Sequence, residues 1–159
     1  MPPLKLVLNA ALEYDFSLIA IHCSLEDYRI AYFLNRHLGI HLQRRAQDVD
    51  FKKQGYEALF SLFTFEDSRN YRSYTLVGNN CKVKHPCSAD DEGLFKTQEN
   101  FKLINLIPEL RKTDFFLKLE SDTLTPKTIL AQINQIPQVV TAYTVDVNQL
   151  KSKRNLIFE

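Results

Sequence analysis

Three residues in one short stretch have the side chains of a metal site: Cys81, His85 and Cys87 stand as C-x3-H-x-C, and thiolate with imidazole is a donor set that suits zinc. Structural zinc takes four ligands, with cysteines usually about two to four residues apart, and no fourth Cys or His lies nearby. The triplet therefore reads as part of a surface loop, and no metal is expected. His22-Cys23 is a nucleophile beside a base in sequence only, because neighbouring residues of a strand point to opposite faces and cannot bond side chain to side chain. A strand cysteine of this kind more often fills core space. The chain has no G-x-S-x-G, H-E-x-x-H, P-loop or G-x-G-x-x-G, and its four glycines leave no Gly-rich phosphate cradle. No catalytic residue and no cofactor is expected.

Two carboxylates stand out by their neighbours. Pro108 fixes the backbone at a turn, Glu109 follows it, and Asp114 precedes the run Phe115-Phe116-Leu117, where a carboxylate can accept backbone N–H bonds at a strand entrance. Glu109 and Asp114 are either local ties or a displayed acidic pair for a basic partner, and as interaction residues they are the only candidates the sequence offers. The segment from Ile107 to Leu117 resembles the signature of the IPExxxVDY family of small bacterial proteins. Ile107, Pro108, Glu109 and Asp114 match it outright, while Thr113 replaces a Val and Phe115 a Tyr. The resemblance extends over most of the chain. It implies a bacterial cytoplasmic protein and supplies no activity, substrate or catalytic residue.

The elements that must position these residues follow from periodicity. Asp15–Cys23 is an apolar, β-branched run that reads as a buried strand. Ser24 is the expected N-cap of a helix from Leu25 to Leu38, with carboxylates in its first turn and Gly39 as a left-handed stop. Ile40–Arg45 alternates like a half-exposed strand, and Asp48–Gly55 reads as a polar connection. Leu59–Phe65 and Tyr71–Val77 form a hairpin around Glu66–Asn70, and Gly78–Asn100 is a long irregular segment. Asp114–Glu120 alternates like a strand, Thr125-Pro126 opens a helix that Pro137 ends, and Val139–Val147 is a further strand. Two strand-helix-strand units around an aromatic hairpin predict a single α+β domain over residues 1–159. The expected architecture is a ferredoxin-like α/β sandwich with a mostly antiparallel sheet and both helices on one face. No residue-level repeat between the two units is evident.

Twenty Lys and Arg against nineteen Asp and Glu give a net charge of +1, so no whole-molecule field recruits nucleic acid or anionic lipid. No run approaches the roughly 18 apolar residues of a membrane span, and the N-terminal residues lack a secretory pattern. A cytoplasmic location and reduced cysteines are expected. By elimination the sequence favours a non-enzymatic protein-interaction module whose sheet edge, long loop and basic tail contact another protein. The alternative is a small-molecule-sensing regulatory domain that binds a metabolite at a homodimer junction.

Overall fold

The computed structural model describes residues 15–53, 55–84, 101–121 and 125–158. Its centre is a six-stranded antiparallel sheet. In chain order its strands are β1 (Ser17–Cys23), β2 (Gln43–Arg44), β5 (Leu62–Asp67), β6 (Arg72–Gly78), β9 (Phe115–Ser121) and β10 (Val139–Val145), and across the sheet they run β10-β1-β9-β6-β5-β2. Helix α1 (Asp27–Leu38) follows β1, and α2 (Pro126–Asn134) joins β9 to β10. β1 and β6 are parallel with β9 between them, and β9 and β10 are parallel with β1 between them. This is the split β-α-β pairing of a ferredoxin-like sandwich, as expected, extended at one side by β5 and β2.

Both helices lie on one face. Ile30, Ala31 and Leu34 of α1 and Ile129 and Ile133 of α2 join Ile19, Ile21, Cys23, Leu76, Leu117 and Leu119 from the sheet in one core. The opposite face of the same strands, through Leu18, Ala20, Val77 and Phe116, belongs to a second core. That core is covered by two hairpins, β3 (Val49–Lys53) with β4 (Tyr56–Phe60) and β7 (Asn80–Lys84) with β8 (Phe101–Asn105), together with Val147, Leu150 and Leu156 from the C-terminal segment. A central strand buried on both sides carries a continuous apolar run rather than an alternating one, which is why Leu18–Ile21 is uninterrupted.

Several expectations need correction. Ser24 does not cap α1: Glu26 occupies the cap position, its side chain bonding Arg29 at 3.5 Å and no backbone N–H of the helix, and the Asp27 carboxylate accepts the Tyr28 N–H at 2.7 Å. Leu25 packs against the helix-side core, and that anchor carries the chain past Ser24 before it winds. Asp48–Gly55 is largely strand β3 rather than a connection, because Val49 and Phe51 turn inward, Phe51 lying 6.1 Å from the Phe60 ring, while Asp50, Lys52 and Lys53 stay in water. Of the expected strand after Gly39 only Gln43–Arg44 forms a ladder with β5, continued by the Arg45 N–H donating to the Leu62 carbonyl at 2.8 Å. Finally, Gly78 closes β6 and Asn80–Lys84 is a strand, so the irregular segment does not begin at Gly78; residues 85–100 lie outside the described residues.

The two strand-helix-strand units do share a short repeat. Ile30, Leu34 and Asn35 have the same spacing as Ile129, Ile133 and Asn134. Asn35 accepts the Leu42 N–H at 2.7 Å and donates to the Leu42 carbonyl at 3.2 Å. Asn134 treats Ala142 in the same way, at 2.9 and 3.1 Å. Ala142 lies on edge strand β10 and Leu42 just before edge strand β2. Each asparagine therefore occupies backbone groups that face away from the sheet and would otherwise be open to another strand.

Candidate functional site: the acidic cleft, the stitched turn and the hairpin surface

The residues from Leu106 to Asp114 are organised by one side chain that the sequence reading left among the loop formers. Asn79 is fully buried, and its amide donates to the carbonyls of Leu110 and Thr113, both at 2.9 Å, while its oxygen accepts the Ile107 N–H at 2.8 Å. Its backbone N–H donates to the Asp114 carbonyl at 3.0 Å, and its own carbonyl accepts the Leu106 N–H at 2.9 Å. All of its bonding capacity is directed at the turn, which a buried polar residue must achieve to be tolerated. The only signal for it was an asparagine directly after a strand.

Glu109 and Asp114 are placed apart in their work. Asp114 stands at the entrance to β9 as expected: its carboxylate accepts the Cys23 N–H at 3.0 Å and its own N–H donates to the Ile21 carbonyl at 3.1 Å. Glu109 is exposed, yet it accepts the Ser152 N–H at 2.8 Å. Burial opposes its ionisation, but N–H groups of Glu109, Ser152 and Lys151 and the Ser152 hydroxyl outweigh that cost and hold the carboxyl below the ordinary range. The basic tail is thus tied back onto the turn, with Asn155 donating to the Leu106 carbonyl at 2.8 Å.

His22 and Cys23 diverge. Cys23 enters the helix-side core, where burial pushes its thiol up and the Asp114 carboxylate adds to this, against a hydrogen bond with the Leu25 backbone. A thiol held neutral is a poor nucleophile. The His22 ring instead stacks on Tyr143, with Nε2 3.2 Å from the tyrosine oxygen and 3.5 Å from the Thr113 hydroxyl. Of the C-x3-H-x-C triplet, Cys81 lies half-buried on β7 against the hairpin-side core; His85 and Cys87 lie outside the described residues. Among the described residues no group of three or more His, Cys, Asp or Glu could hold a metal ion.

A cleft of about 380 Å³ opens where β1 ends and α1 begins, lined among others by Glu26, Asp27, Asp48 and Asp114 around Arg44. Arg44 bonds Asp27 at 3.2 Å and Asp48 at 2.8 Å. Glu26 also pairs with Arg29 at 3.5 Å, and four carboxylates against these two guanidiniums still leave the cleft acidic, a setting for a ligand that carries an amine. Gly78 lies on its wall, where a Cβ would come 3.3 Å from the Ser61 hydroxyl.

The β7–β8 hairpin has two unlike faces. Cys81, Val83 and Ile104 turn into the core. The other face carries the pairs Asn80 with Asn105, Lys82 with Leu103 and Lys84 with Phe101, and Phe101 and Leu103 are 50% and 51% exposed. No described helix is long and apolar enough to cross a membrane. Compared with family models, curated proteins and solved structures, the chain matches none.

Proposed function

We propose that this protein is a non-enzymatic protein-interaction module, of the IPExxxVDY type and acting in the cytoplasm, whose docking surface is the outward face of the β7–β8 hairpin. One observation carries the reading. Phe101 and Leu103 stand half-exposed on a regular strand face whose reverse side is packed on the core, and neighbouring exposed apolar residues on an ordered element are characteristic of contact surfaces. The sheet edges are poorer candidates, since Asn134 and Asn35 each already occupy the outward backbone groups of one edge residue, Ala142 and Leu42. Glu109 and Asp114 serve this reading by holding the turn that follows β8. A photo-crosslinking residue placed at Leu103 in the native cell should capture one partner at its expected position. Crosslinks spread evenly between Leu103 and a control site on α1 would refute the reading.

A second reading, a small-molecule sensor, is favoured by the cleft around Arg44, whose carboxylates suit an amine-bearing metabolite. A ligand that binds only the native state raises its melting temperature by mass action. A thermal-shift screen of polyamines and amino acids tests this, and the reading fails if none moves the transition at millimolar concentration.

A further inference from the structure

We infer that the hollow between the two hairpins is a binding site for a small phosphate monoester with a short apolar stem; the inference goes beyond the docking reading and does not depend on it. The hollow, of about 180 Å³, is lined by Lys53 of β3, Tyr56 of β4, Lys102, Leu103 and Ile104 of β8, and Pro108 just beyond β8. Among the described residues no carboxylate lines it.

The two lysines come from separate hairpins and meet at one tyrosine. Lys53 lies directly across from Tyr56, on the face that carries Val49 and Phe51 toward the hairpin-side core. Lys102 shares the inner face of β8 with Ile104, and its Nζ stands 4.7 Å from the centre of the Tyr56 ring. The ring holds that ammonium by its negative face and leaves its hydrogens for a second partner. Among the described residues neither lysine forms an ion pair. The acidic residues next to the lining are engaged elsewhere. Glu57 pairs with Lys52 at 3.4 Å, both on the opposite face of the β3–β4 ladder, and Glu109 accepts the Ser152 N–H at 2.8 Å.

Two like charges facing one hollow repel, and an anion between them relieves this. A phosphate monoester fits best, because it carries close to two negative charges near neutral pH and three acceptor oxygens, and lysine is an established point-charge partner for phosphate. The volume lies below the roughly 300–1,000 Å³ of pockets that take drug-sized ligands, so the ligand is small. Leu103, Ile104 and Pro108 supply an apolar wall against which a short carbon stem loses its water.

The test titrates the nitrogen-15-labelled full chain with propyl phosphate near neutral pH and follows amide shifts. Saturable shifts centred on Lys53, Tyr56 and Lys102 are expected, with a dissociation constant on the order of 1 mM. Lys53→Gln and Lys102→Gln should each weaken binding about fivefold or more. Lys52→Gln removes the same charge from the other face and should change it less than about twofold. All three variants should melt within a few degrees of the parent, as surface substitutions do, so that lost binding is not lost folding. The inference is overturned if no shift saturates below about 20 mM, or if the shifts centre on another part of the molecule. It fails equally if Lys52→Gln weakens binding as much as Lys102→Gln, or if inorganic phosphate or propylammonium binds as tightly as propyl phosphate. Residues 85–100, which join β7 to β8, carry four carboxylates, and Asp90→Asn, Asp91→Asn, Glu92→Gln and Glu99→Gln together should alter the affinity less than about threefold. Binding that appears only in that variant would give the hollow to the chain's own carboxylates and overturn the inference, as would single-stranded RNA that binds through Lys53 and Lys102 when propyl phosphate does not.

Discussion

The two faces of the central sheet are covered by different means. On the helix side, Ile30, Leu34, Ile129 and Ile133 supply a continuous apolar stripe, and one asparagine per helix closes the far end. On the hairpin side the buried apolar residues are joined by polar stitches, with Asn79, Glu109 and Asn155 each holding backbone groups of a segment that has little regular structure. Burial is non-directional and scales with area, whereas hydrogen bonds fix one arrangement and leave buried donors stranded when a partner is lost. The helix cover should therefore degrade gradually on mutation, and the hairpin cover at single residues.

The strongest way to break this contrast is Asn79→Ala. It strands the Ile107 N–H and the Thr113 carbonyl, while the Leu110 carbonyl keeps the Thr113 N–H at 3.0 Å; with roughly 1–3 kcal/mol per buried unsatisfied group the loss should be about 2 kcal/mol or more, read by urea denaturation. A loss under about 1 kcal/mol would mean that the turn is held by burial alone. Asp114→Ala comes next. It strands only the Cys23 N–H, so about 1–3 kcal/mol, or a fall of several degrees in melting temperature, is expected.

Asn134→Ala tests the helix side. It should cost about 1–2 kcal/mol and, by freeing the outward groups of Ala142, allow concentration-dependent self-association in sedimentation. A variant that stays in the parent's association state would show that something besides Asn134 closes this edge.

The smallest effect is expected at Glu109, which is exposed. Its carboxyl is held below its ordinary range when folded, so its contribution is complete above the unfolded value of about 4.3 and disappears as pH falls through the lower folded value. Glu109→Gln should therefore be less stable than the parent at neutral pH by under about 1 kcal/mol, and the two should converge in strong acid. A gap that widens on acidification would contradict the clasp.

The helix cover was largely legible in the sequence, because the spacing of Ile129, Ile133 and Ile136 and the Gly39 stop are local properties of a helix. The strand entrance at Asp114 and the pairing of β5 with β6 were legible as local patterns, but the expected strand Leu59–Phe65 spans two strands, since Leu59 and Phe60 belong to β4 and pair with β3 while β5 starts at Leu62. The hairpin cover was not. Val49-Asp50-Phe51-Lys52-Lys53 reads as polar because one side faces water, and the inward role of Val49 and Phe51 depends on Phe60 and on a sheet formed by distant residues. Asn79 escaped notice because its partners lie 28 to 34 residues away, beyond any window of local pattern. The correspondence of Asn35 with Asn134 was not read from the sequence, because three matched positions do not stand out as a repeat and an asparagine near a helix end usually signifies only a cap.

The asparagine closures also imply a contrast in solvent exchange that is independent of stability mutants. The amide protons of Ala142 and Leu42 face outward from the sheet, where those of edge strands ordinarily exchange quickly with deuterium, yet each is bonded to a side chain on a helix whose inner face is packed on the core. Their protection should rise and fall with the docking of α2 and α1, not with fraying of the strands that contain them. Thr144, two residues beyond Ala142 on the same outward side of β10, serves as the internal reference. A fast Thr144 amide beside a slow Ala142 amide would report, residue by residue, that each helix guards the edge of its own unit.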